Sequence, residues 1–333
     1  MFEQATLDDL PAFRCGNAQN EADGCGCTVV VAPAGAVCGV DVRGGGPATR
    51  ETDLLHPENM IESVHAVVLA GGSAFGLEAS TGVAQTLAEH GIGFRLGEAC
   101  VPIVVGACLF DLLVGNPAHP DAAMGRQAAL AAFDDAEACA EGNVGAGCGA
   151  TVGKLLDAER AMKSGLGIYG LRAGDLVAVA IVAVNALGNV CDAQGRWIAG
   201  CRDDAGCVMD PLDAFDALSR MPESETSAAP CTNTTIGVVL TNARITKAQA
   251  TKTASTVHDA YARAIKPVHT LNDGDTVFAF ASGEVACQPD AATVLATEAM
   301  QRAIERAVTC TTGAYGLPAA ADLPVPPASL SER

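Results

Sequence analysis

Thr234 follows Asn233 at the point where a polar segment meets an apolar one. Residues 221–232 contain Pro and Ser, show no periodicity and are predicted to form an exposed linker, whereas residues 235–241 (TIGVVLT) are typical of a buried strand. A threonine hydroxyl is a poor nucleophile, but cleavage of the bond before Thr234 would free an α-amine with a pKa of about 7.7–8.0, which can act as its general base. The pair therefore allows a self-cleaving N-terminal nucleophile, although by itself it is more simply the start of a strand.

Four further residues are suited to support such a nucleophile. Asp273 and Asp275 place two carboxylates on one tight turn, and Lys154 follows a glycine-rich loop. Asn185 interrupts an apolar strand, where a buried amide needs partners, so it is a candidate oxyanion donor. Because an N-terminal threonine carries its own base, we predict a hydrolase that uses no metal and no cofactor.

Ser73 is the alternative nucleophile. The sequence Gly72-Ser73-Ala74-Phe75 lies between a predicted strand and a predicted helix, as in the nucleophile elbow of hydrolases. Phe75, however, stands where the G-x-S-x-G pattern of the elbow requires glycine. A serine in this position is more often the N-cap of a helix.

The remaining motifs match no metal or nucleotide site. The run 145–149 (GAGCG) is not G-x-G-x-x-G, and the six histidines show no H-E-x-x-H spacing. His269 stands beside the acidic turn, where packing in the core is its simpler role. Cys25 and Cys27 form a pair without a second pair at zinc spacing, and we expect the 14 cysteines to be mostly buried free thiols.

The elements that must position these residues are mixed in type. The predicted strands are two short ones around Pro33–Gly35 within 28–42, then 64–70, 101–105, 176–190, 235–241 and 276–281. The predicted helices end near Gly91 or span 122–138, 211–218 and 250–265, and a last one begins at the N-cap Asp290. Strands in pairs with helices between them favour layered α+β packing over strict βαβ alternation.

Composition limits the classes of function. The 333 residues are 49% hydrophobic but only 4% aromatic, which favours closely packed layers of small side chains. No run of 18 apolar residues predicts a membrane span, and the start of the chain (MFEQATLDDLPAFRC) lacks the regions of a secretion signal, so we expect a cytoplasmic location. A net charge of −19 would repel nucleic acid.

Four segments resemble the DmpA-type self-cleaving aminopeptidases, a family that includes L-aminopeptidase/D-esterases, β-peptidyl aminopeptidases and nylon-oligomer hydrolases. The segments are LAGGSAFGLEASTGV (69–83), GAGCGATVGK (145–154), NTTIGVVLTNARITKAQATKTA (233–254) and IKPVHTLNDGDTVFAFASG (265–283). The resemblance implies an α+β fold, an αββα four-layer sandwich like that of the N-terminal-nucleophile (Ntn) hydrolases, with the strand connectivity of ornithine acetyltransferase. It also implies that residues 1–333 form one domain that cleaves itself into 1–233 and 234–333, and that the cleaved pairs assemble as a homotetramer.

The resemblance implies a role for each site residue. Thr234 is the nucleophile, and Asn233 precedes the bond that is cut. The residues implied to complete the catalytic site are Lys154, Asn185, Asp273 and Asp275. The residues predicted to bind the substrate, a small peptide, amide or ester, are Gly72, Ser73, Phe75 and Phe110.

Differences within the family bear on the substrate and leave two alternatives. Some β-peptidyl members have a serine nucleophile, with Ser and Glu at the positions of Asp273 and Asp275, so this chain is more similar to the nylon-oligomer hydrolases. That branch has a tyrosine at the position of Phe110, and the substrate class is therefore not carried over. The alternatives are an acyltransferase on the same fold, which needs a second amine as acceptor, and an uncleaved, non-catalytic scaffold or small-molecule binder.

Overall fold

The computed structural model describes residues 2–134, 139–220 and 233–323, and the predicted linker at 221–232 lies outside these ranges. The strands are β1 (Glu3–Ala5), β2 (Arg14–Asn20), β3 (Cys25–Val42), β4 (Ala48–Arg50), β5 (Val64–Ala70), β6 (Phe94–Leu96), β7 (Ala99–Val101), β8 (Val104–Cys108), β9 (Thr151–Val152), β10 (Met162–Lys163), β11 (Leu166–Ala173), β12 (Leu176–Asn185), β13 (Asn189–Cys191), β14 (Trp197–Ala199), β15 (Thr234–Ala243), β16 (Ile265–Lys266) and β17 (Thr276–Val285). The α-helices are α1 (Ala79–Glu89), α2 (Ala122–Asp134), α3 (Pro211–Arg220), α4 (Lys247–Ala264) and α5 (Pro289–Thr309). Short 3-10 helices lie at Leu7–Asp9, Asp53–Leu55, Ser73–Glu78, Gly145–Gly147 and Ala320–Asp322.

Strand β3 is continuous and joins two sheets. Its first part pairs antiparallel with β2 and β5, and its second part pairs antiparallel with β17. The register with β5 shifts between Val31 and Ala36, so the residues between them leave the ladder and bend the strand. The prediction of two short strands around Pro33–Gly35 is therefore wrong, because proline and glycine form a bend within one strand and no turn ends it.

The two sheets are stacked, and both faces of each are buried. The first sheet contains β1, β11, β12, β15, β17 and the second part of β3, and the other contains the first part of β3 with β2, β5, β8 and β4. Val238 and Val67 pack in the core between the sheets. Their neighbours Val239 and Val68 pack against helices on the outer faces, α4 and α5 on one side and α1 and α2 on the other. This αββα arrangement confirms the predicted α+β layering.

Small side chains allow the helices to lie directly on the sheet backbone. A Cβ atom at Gly39 of β3 would lie 2.1 Å from the Thr251 nitrogen of α4, and one at Gly167 would lie 2.0 Å from the Ala303 oxygen of α5. Such distances leave room for a hydrogen only, which explains why glycine occupies both positions.

Within the described ranges every cysteine is a free thiol. None of the helices in these ranges has the length and the apolar run that a membrane span requires.

Several predicted elements are present with different bounds. The strand predicted at 101–105 is β8, which begins three residues later, and α2 ends at Asp134, with 135–138 outside the described residues. Asp290 is not an N-cap, because Gln288 holds that position and Pro289 begins α5. Proline suits the first helical position, where no N–H partner is available, and Asp290 follows in the first turn, where its charge is favourable.

Strand β15 lies between β12 and β17, and this places three strand ends side by side. Because β12 runs antiparallel to β15, Asn185 at its end pairs with Thr234 at the start of β15. Because β17 runs parallel to β15, the turn that precedes it lies at the same end of the sheet. Asn233 forms a bridge with Asp273 of that turn.

We expect Gly39→Ala to lower the free energy of unfolding by about 1–3 kcal/mol, because the added methyl group must displace α4 from the sheet. Urea denaturation would measure the change. Ala173→Val, at an exposed end of β11, should stay within about 0.5 kcal/mol of the wild type and serves as the control. Equal stability of Gly39→Ala and the wild type would contradict the close helix–sheet contact.

Candidate active site

The structure brings together the five residues predicted to be catalytic. Thr234 begins β15, Asn185 ends β12, and Asp273 and Asp275 lie in the turn before β17. Each of these four is buried, with at most 3% of its surface exposed. Lys154 joins them by donating from Nζ to Asn185, at 2.8 Å to Oδ1 and 3.2 Å to the backbone oxygen.

The carbonyl group of Asn233 has two donors. The backbone N–H of Gly274 donates to this oxygen at 3.0 Å, and the hydroxyl of Thr234 donates to it as well. A Cβ atom at Gly274 would lie 2.7 Å from Thr234 Oγ1, so only glycine fits between the carboxylates of the turn. The sequence analysis did not single out Gly274, although its place between two aspartates was a signal.

Asp275 anchors the start of β15. Its Oδ1 accepts from the backbone N–H of Thr235 at 2.7 Å. Its Oδ2 accepts from the backbone N–H of His269 at 3.1 Å and lies 2.8 Å from Nδ1 of the same residue. Three donors thus compensate a carboxylate that is 1% exposed, and they fix the backbone next to Thr234.

Asp273 is less well compensated than Asp275. Its Oδ2 accepts from the backbone N–H of Thr270 at 2.6 Å. Burial, together with the charge of Asp275, raises the pKa of Asp273 to about 6, while Thr270 and Lys154 oppose the shift. This carboxyl group can therefore hold or release a proton near neutral pH.

Asn185 links Lys154 to the far wall of the site. Its Oδ1 also accepts from the N–H and the hydroxyl of Thr151, at 3.0 and 3.2 Å. Its Nδ2 donates to the backbone oxygen of Phe110 at 2.8 Å. The predicted oxyanion donor therefore has one N–H directed at Phe110, whereas the donor that reaches the Asn233 carbonyl is Gly274.

A second glycine segment supports the acidic turn from behind. The backbone N–H of Gly46 donates to the Asp273 oxygen at 2.8 Å, and that of Arg43 donates to the Asp275 oxygen at 2.9 Å. A Cβ atom at Gly44 would lie 2.2 Å from the Asp273 oxygen. The run of three glycines at 44–46 was a signal for this close approach that the sequence analysis missed.

A cavity of about 590 Å³ is lined by Lys154 and Thr151, both of which donate hydrogen bonds to Asn185. Its apolar wall includes Phe110, Leu113, Leu156 and Leu317, and Asp157 and Glu159 also line it. Of the residues predicted to bind substrate, Phe110 lines this cavity and the other three do not.

Those three residues lie in the turn and 3-10 helix after β5. The N–H of Gly72 donates to Oδ1 of Asp111, a lining residue, at 2.6 Å, and the N–H of Ser73 donates to the backbone of Leu109. The Phe75 ring is 66% exposed and packs beside His119 with ring centres 5.4 Å apart. The structure therefore separates Phe75 from the cavity and links Gly72 to it through Asp111.

Two buried charged residues near the site were missed from the sequence. Burial raises the pKa of Asp111 to about 7 and lowers the pKa of Lys163 to about 7. Lys163 Nζ donates to the backbone oxygens of Gly147 and Ala150, each at 3.0 Å, and so holds the glycine-rich loop that leads to Lys154. An aspartate inside the apolar run 101–114 was the available signal for Asp111.

Among the described residues no cluster of three or more His, Cys, Asp or Glu side chains could hold a metal ion.

Comparisons with known proteins connect this chain to a peptidase family. A model described as Peptidase family S58 matches residues 6–316. An uncharacterized aminopeptidase of Mycobacterium tuberculosis is 43% identical over 271 residues, which cover 80% of this chain and 76% of that protein. A 6-aminohexanoate-oligomer endohydrolase of Kocuria sp. is 34% identical over 279 residues, which cover 83% of this chain and 75% of that protein.

Two solved structures share the fold. The Burkholderia sp. beta-aminopeptidase has a TM-score of 0.66 and 19% identity, with 93% of this chain and 89% of that chain covered. The L-aminopeptidase D-Ala-esterase/amidase of Ochrobactrum anthropi, described as a variant of the Ntn hydrolase fold, has a TM-score of 0.62 and 16% identity, with 90% and 84% covered. At such identities the likeness concerns the fold, and it confirms the predicted Ntn-like sandwich.

The stability of the chain should depend on pH through Lys154. Burial lowers the pKa of Lys154 from 10.5 to about 7, with Asp273 and Asp111 opposing the shift. Between pH 7 and pH 10.5, the folded and unfolded pKa values of Lys154, the unfolded state binds more protons than the folded state. The free energy of unfolding should therefore rise with pH, by at most about 1.4 kcal/mol per pH unit.

Lys154→Met should remove this rise. The variant and the reference protein with Lys154 would both carry Thr234→Ala, so that the bond before residue 234 stays intact. The urea denaturation of each would be followed from pH 7 to about 9.5. Lys163 titrates in the same window but is present in both proteins, so the difference isolates Lys154. Parallel stability profiles would show that Lys154 keeps an ordinary pKa.

Proposed function

The chain belongs to peptidase family S58, and on that premise we propose that it cuts itself between Asn233 and Thr234 and then uses Thr234 to hydrolyse small peptides, amides or esters. Membership in this family makes the chain a hydrolase of peptide or amide bonds. The observation that carries the finer proposal is the arrangement at the Asn233 carbonyl, where the Thr234 hydroxyl and the Gly274 N–H both donate to the same oxygen.

Self-cleavage begins with an attack across this arrangement. Oγ1 of Thr234 adds to the carbonyl carbon of Asn233, and the Gly274 N–H stabilises the negative charge that develops on the oxygen. The C–N bond then breaks, and the proton lost by the hydroxyl ends on the Thr234 nitrogen. Water hydrolyses the resulting ester, which leaves a carboxylate on Asn233 and a free amine on Thr234.

The mature enzyme repeats this chemistry on a substrate. The α-amine of Thr234 takes the hydroxyl proton as Oγ1 attacks a substrate carbonyl, and the leaving amine or alcohol departs with that proton. Once Asn233 is released, the Gly274 N–H is available to the substrate oxyanion, with Asn185 as the second predicted donor. Water then hydrolyses the acyl-Thr234 ester. A protonated Lys154 nearby lowers the pKa of the α-amine through its charge.

The cavity beside Lys154 fits the acyl part of a small substrate. Its volume of about 590 Å³ lies within the usual range for small-molecule sites, and its apolar wall suits an aliphatic chain. Glu159, together with Asp157, which is paired with Arg160 at 3.3 Å, gives it a partly negative lining, and this favours substrates that carry an ammonium group. The names of the two relatives, an aminopeptidase and a 6-aminohexanoate-oligomer endohydrolase, support a substrate of this class.

Purified protein should separate into two chains, residues 1–233 and 234–333, on denaturing electrophoresis, and intact mass should place the new N-terminus at Thr234. Thr234→Ala should stay full length and inactive because it has no hydroxyl, whereas Thr234→Ser should still be processed. A wild-type chain that persists at 33.6 kDa after incubation at neutral pH would contradict self-cleavage.

The acyltransferase alternative predicts that the substrate's acyl group is transferred only when a second amine is present as acceptor. Such a dependence of product formation on the amine would favour that alternative over hydrolysis.

A matched pair of glycine variants tests the geometry of the cleavage site. Gly274→Ala places a methyl group 2.7 Å from Thr234 Oγ1 and should slow processing roughly 100-fold, because displacement of a nucleophile by about 1 Å has costs of this size. Gly283→Ala, within β17, adds its methyl group where nothing lies within 4 Å. It is a strict control, because alanine at its φ of +87° strains the backbone without any contact to the site. Equal slowing in both variants would mean that the effect is general backbone strain.

The negative lining of the cavity should be visible in substrate preference. We expect Glu159→Gln to raise KM about two- to fivefold for a lysine-containing dipeptide amide, and to leave its norleucine counterpart unchanged, because Glu159 is exposed and its charge is screened. Glu62→Gln, an exposed residue that does not line the cavity, is the control. An equal change for both substrates would argue against charge recognition in this cavity.

A further inference from the structure

We propose that His269 is a positioning residue for Thr234: its side chain and its own backbone N–H together hold the Asp275 carboxylate that anchors the start of β15. The proposal rests on the function proposed above and adds to it a residue that touches neither the nucleophile nor the cavity in the described structure. His269 acts through Asp275, and Asp275 acts through the backbone of Thr235.

The contacts form a continuous chain from the imidazole to the nucleophile. His269 Nδ1 lies 2.8 Å from Asp275 Oδ2, and the His269 backbone N–H donates to the same oxygen at 3.1 Å. The other oxygen of Asp275 accepts from the Thr235 N–H at 2.7 Å. Because a carboxylate only accepts hydrogen bonds, Nδ1 is the protonated ring nitrogen. Loss of the ring would leave Oδ2 with a single donor and allow the carboxylate to turn away from Thr235.

The backbone of His269 is held in an unfavourable conformation that serves this contact. Its φ of +58° lies in the left-handed region, which only a few per cent of residues other than glycine adopt, although asparagine, aspartate and histidine are enriched there. In this conformation the N–H groups of His269 and Thr270 hold the two carboxylates of the acidic turn, Asp275 and Asp273 respectively. Strained residues of this kind persist where the surrounding structure requires them, and functional sites are a common place.

The packing behind His269 fixes the ring and adds no charge to it. His258 meets the ring edge-on with centres 4.7 Å apart, and Tyr261 stacks at 6.0 Å. Burial lowers the pKa of His258 to about 4, so His258 is neutral at pH 7. Nε2 of His269 is buried without a hydrogen-bond partner among the described residues. Among the described residues, the imidazole of His269 therefore makes its polar contact through Nδ1 with Asp275.

Three variants separate the side chain from the backbone. His269→Gly suits the left-handed backbone and keeps the N–H but removes the ring donor. His269→Asn also tolerates this backbone, and its Nδ2 is attached to Cγ, as Nδ1 is in histidine. Glu51→Gly is the matched control, because Glu51 has a φ of +54° at an exposed position outside the site.

We expect His269→Gly to lower kcat, and the rate of self-cleavage, roughly 10- to 100-fold, the size expected for loss of one hydrogen bond to a charged group. KM should stay within about twofold, because the cavity is not altered. His269→Asn should recover activity to within about threefold of the wild type, and Glu51→Gly should match the wild type. Thermal unfolding of each variant would be measured in parallel on the uncleaved chain, which Thr234→Ala preserves. A purely structural role of His269 would lower the melting temperature but leave kcat of the folded enzyme unchanged.

The outcomes distinguish this proposal from the function on which it rests. If Thr234→Ala is inactive and His269→Gly matches the wild type, only the positioning role is overturned. If Thr234→Ala retains activity, the proposed nucleophile fails whatever His269 does. A double-mutant cycle with Asp275→Asn adds a second check, because His269→Gly should have little further effect once the carboxylate is gone. Additive losses would show that His269 does not act through Asp275.

Discussion

The pairing of β15 with two neighbours of opposite direction is the constraint on which the site depends. An antiparallel partner aligns its last residue with the first residue of β15, and a parallel partner aligns its preceding turn with the same point. Asn185, Thr234 and the acidic turn therefore meet at one end of the sheet although they are far apart in sequence. A shift of one residue in either pairing would turn Thr234 to the other face and break up the arrangement.

Close backbone approach is the second recurring feature. Gly39 lets α4 lie directly on β3, Gly44 supports the acidic turn, and Gly274 leaves room for the Thr234 hydroxyl. In each case the next atom is too near for any side chain. The chain thus uses glycine both to bring its layers together and to place an N–H beside a carbonyl oxygen, and this gives the site directed donors that need no side chain.

Burial also sets the proton affinities of the site. Loss of water raises the pKa of Asp273 to about 6 and lowers that of Lys154 to about 7, so both groups can exchange protons near neutral pH. The hydrogen bonds of the two carboxylates also differ, because two backbone N–H groups and His269 donate to Asp275. Two carboxylates on one turn are thus placed in different surroundings, one suited to proton transfer and the other to holding the backbone.

The sequence by itself determined the layered α+β class, most of the strands and helices, and the candidates Thr234, Lys154, Asn185, Asp273 and Asp275. The catalytic role of Thr234 came from the family resemblance, because by itself the residue is more simply the start of a strand. Local information was sufficient for the elements and for the choice of candidate positions, because periodicity marks buried faces and an isolated polar residue in an apolar run stands out. It failed at Pro33–Gly35, where turn-forming residues bend one strand, since strand continuation there depends on partners that lie elsewhere in the chain. The contacts of Gly274 and His269 were decided only by the tertiary structure. A glycine contact or an imidazole bond to a carboxylate exists only after the sheet has set the distance between the partners, and that distance is not a property of any local segment.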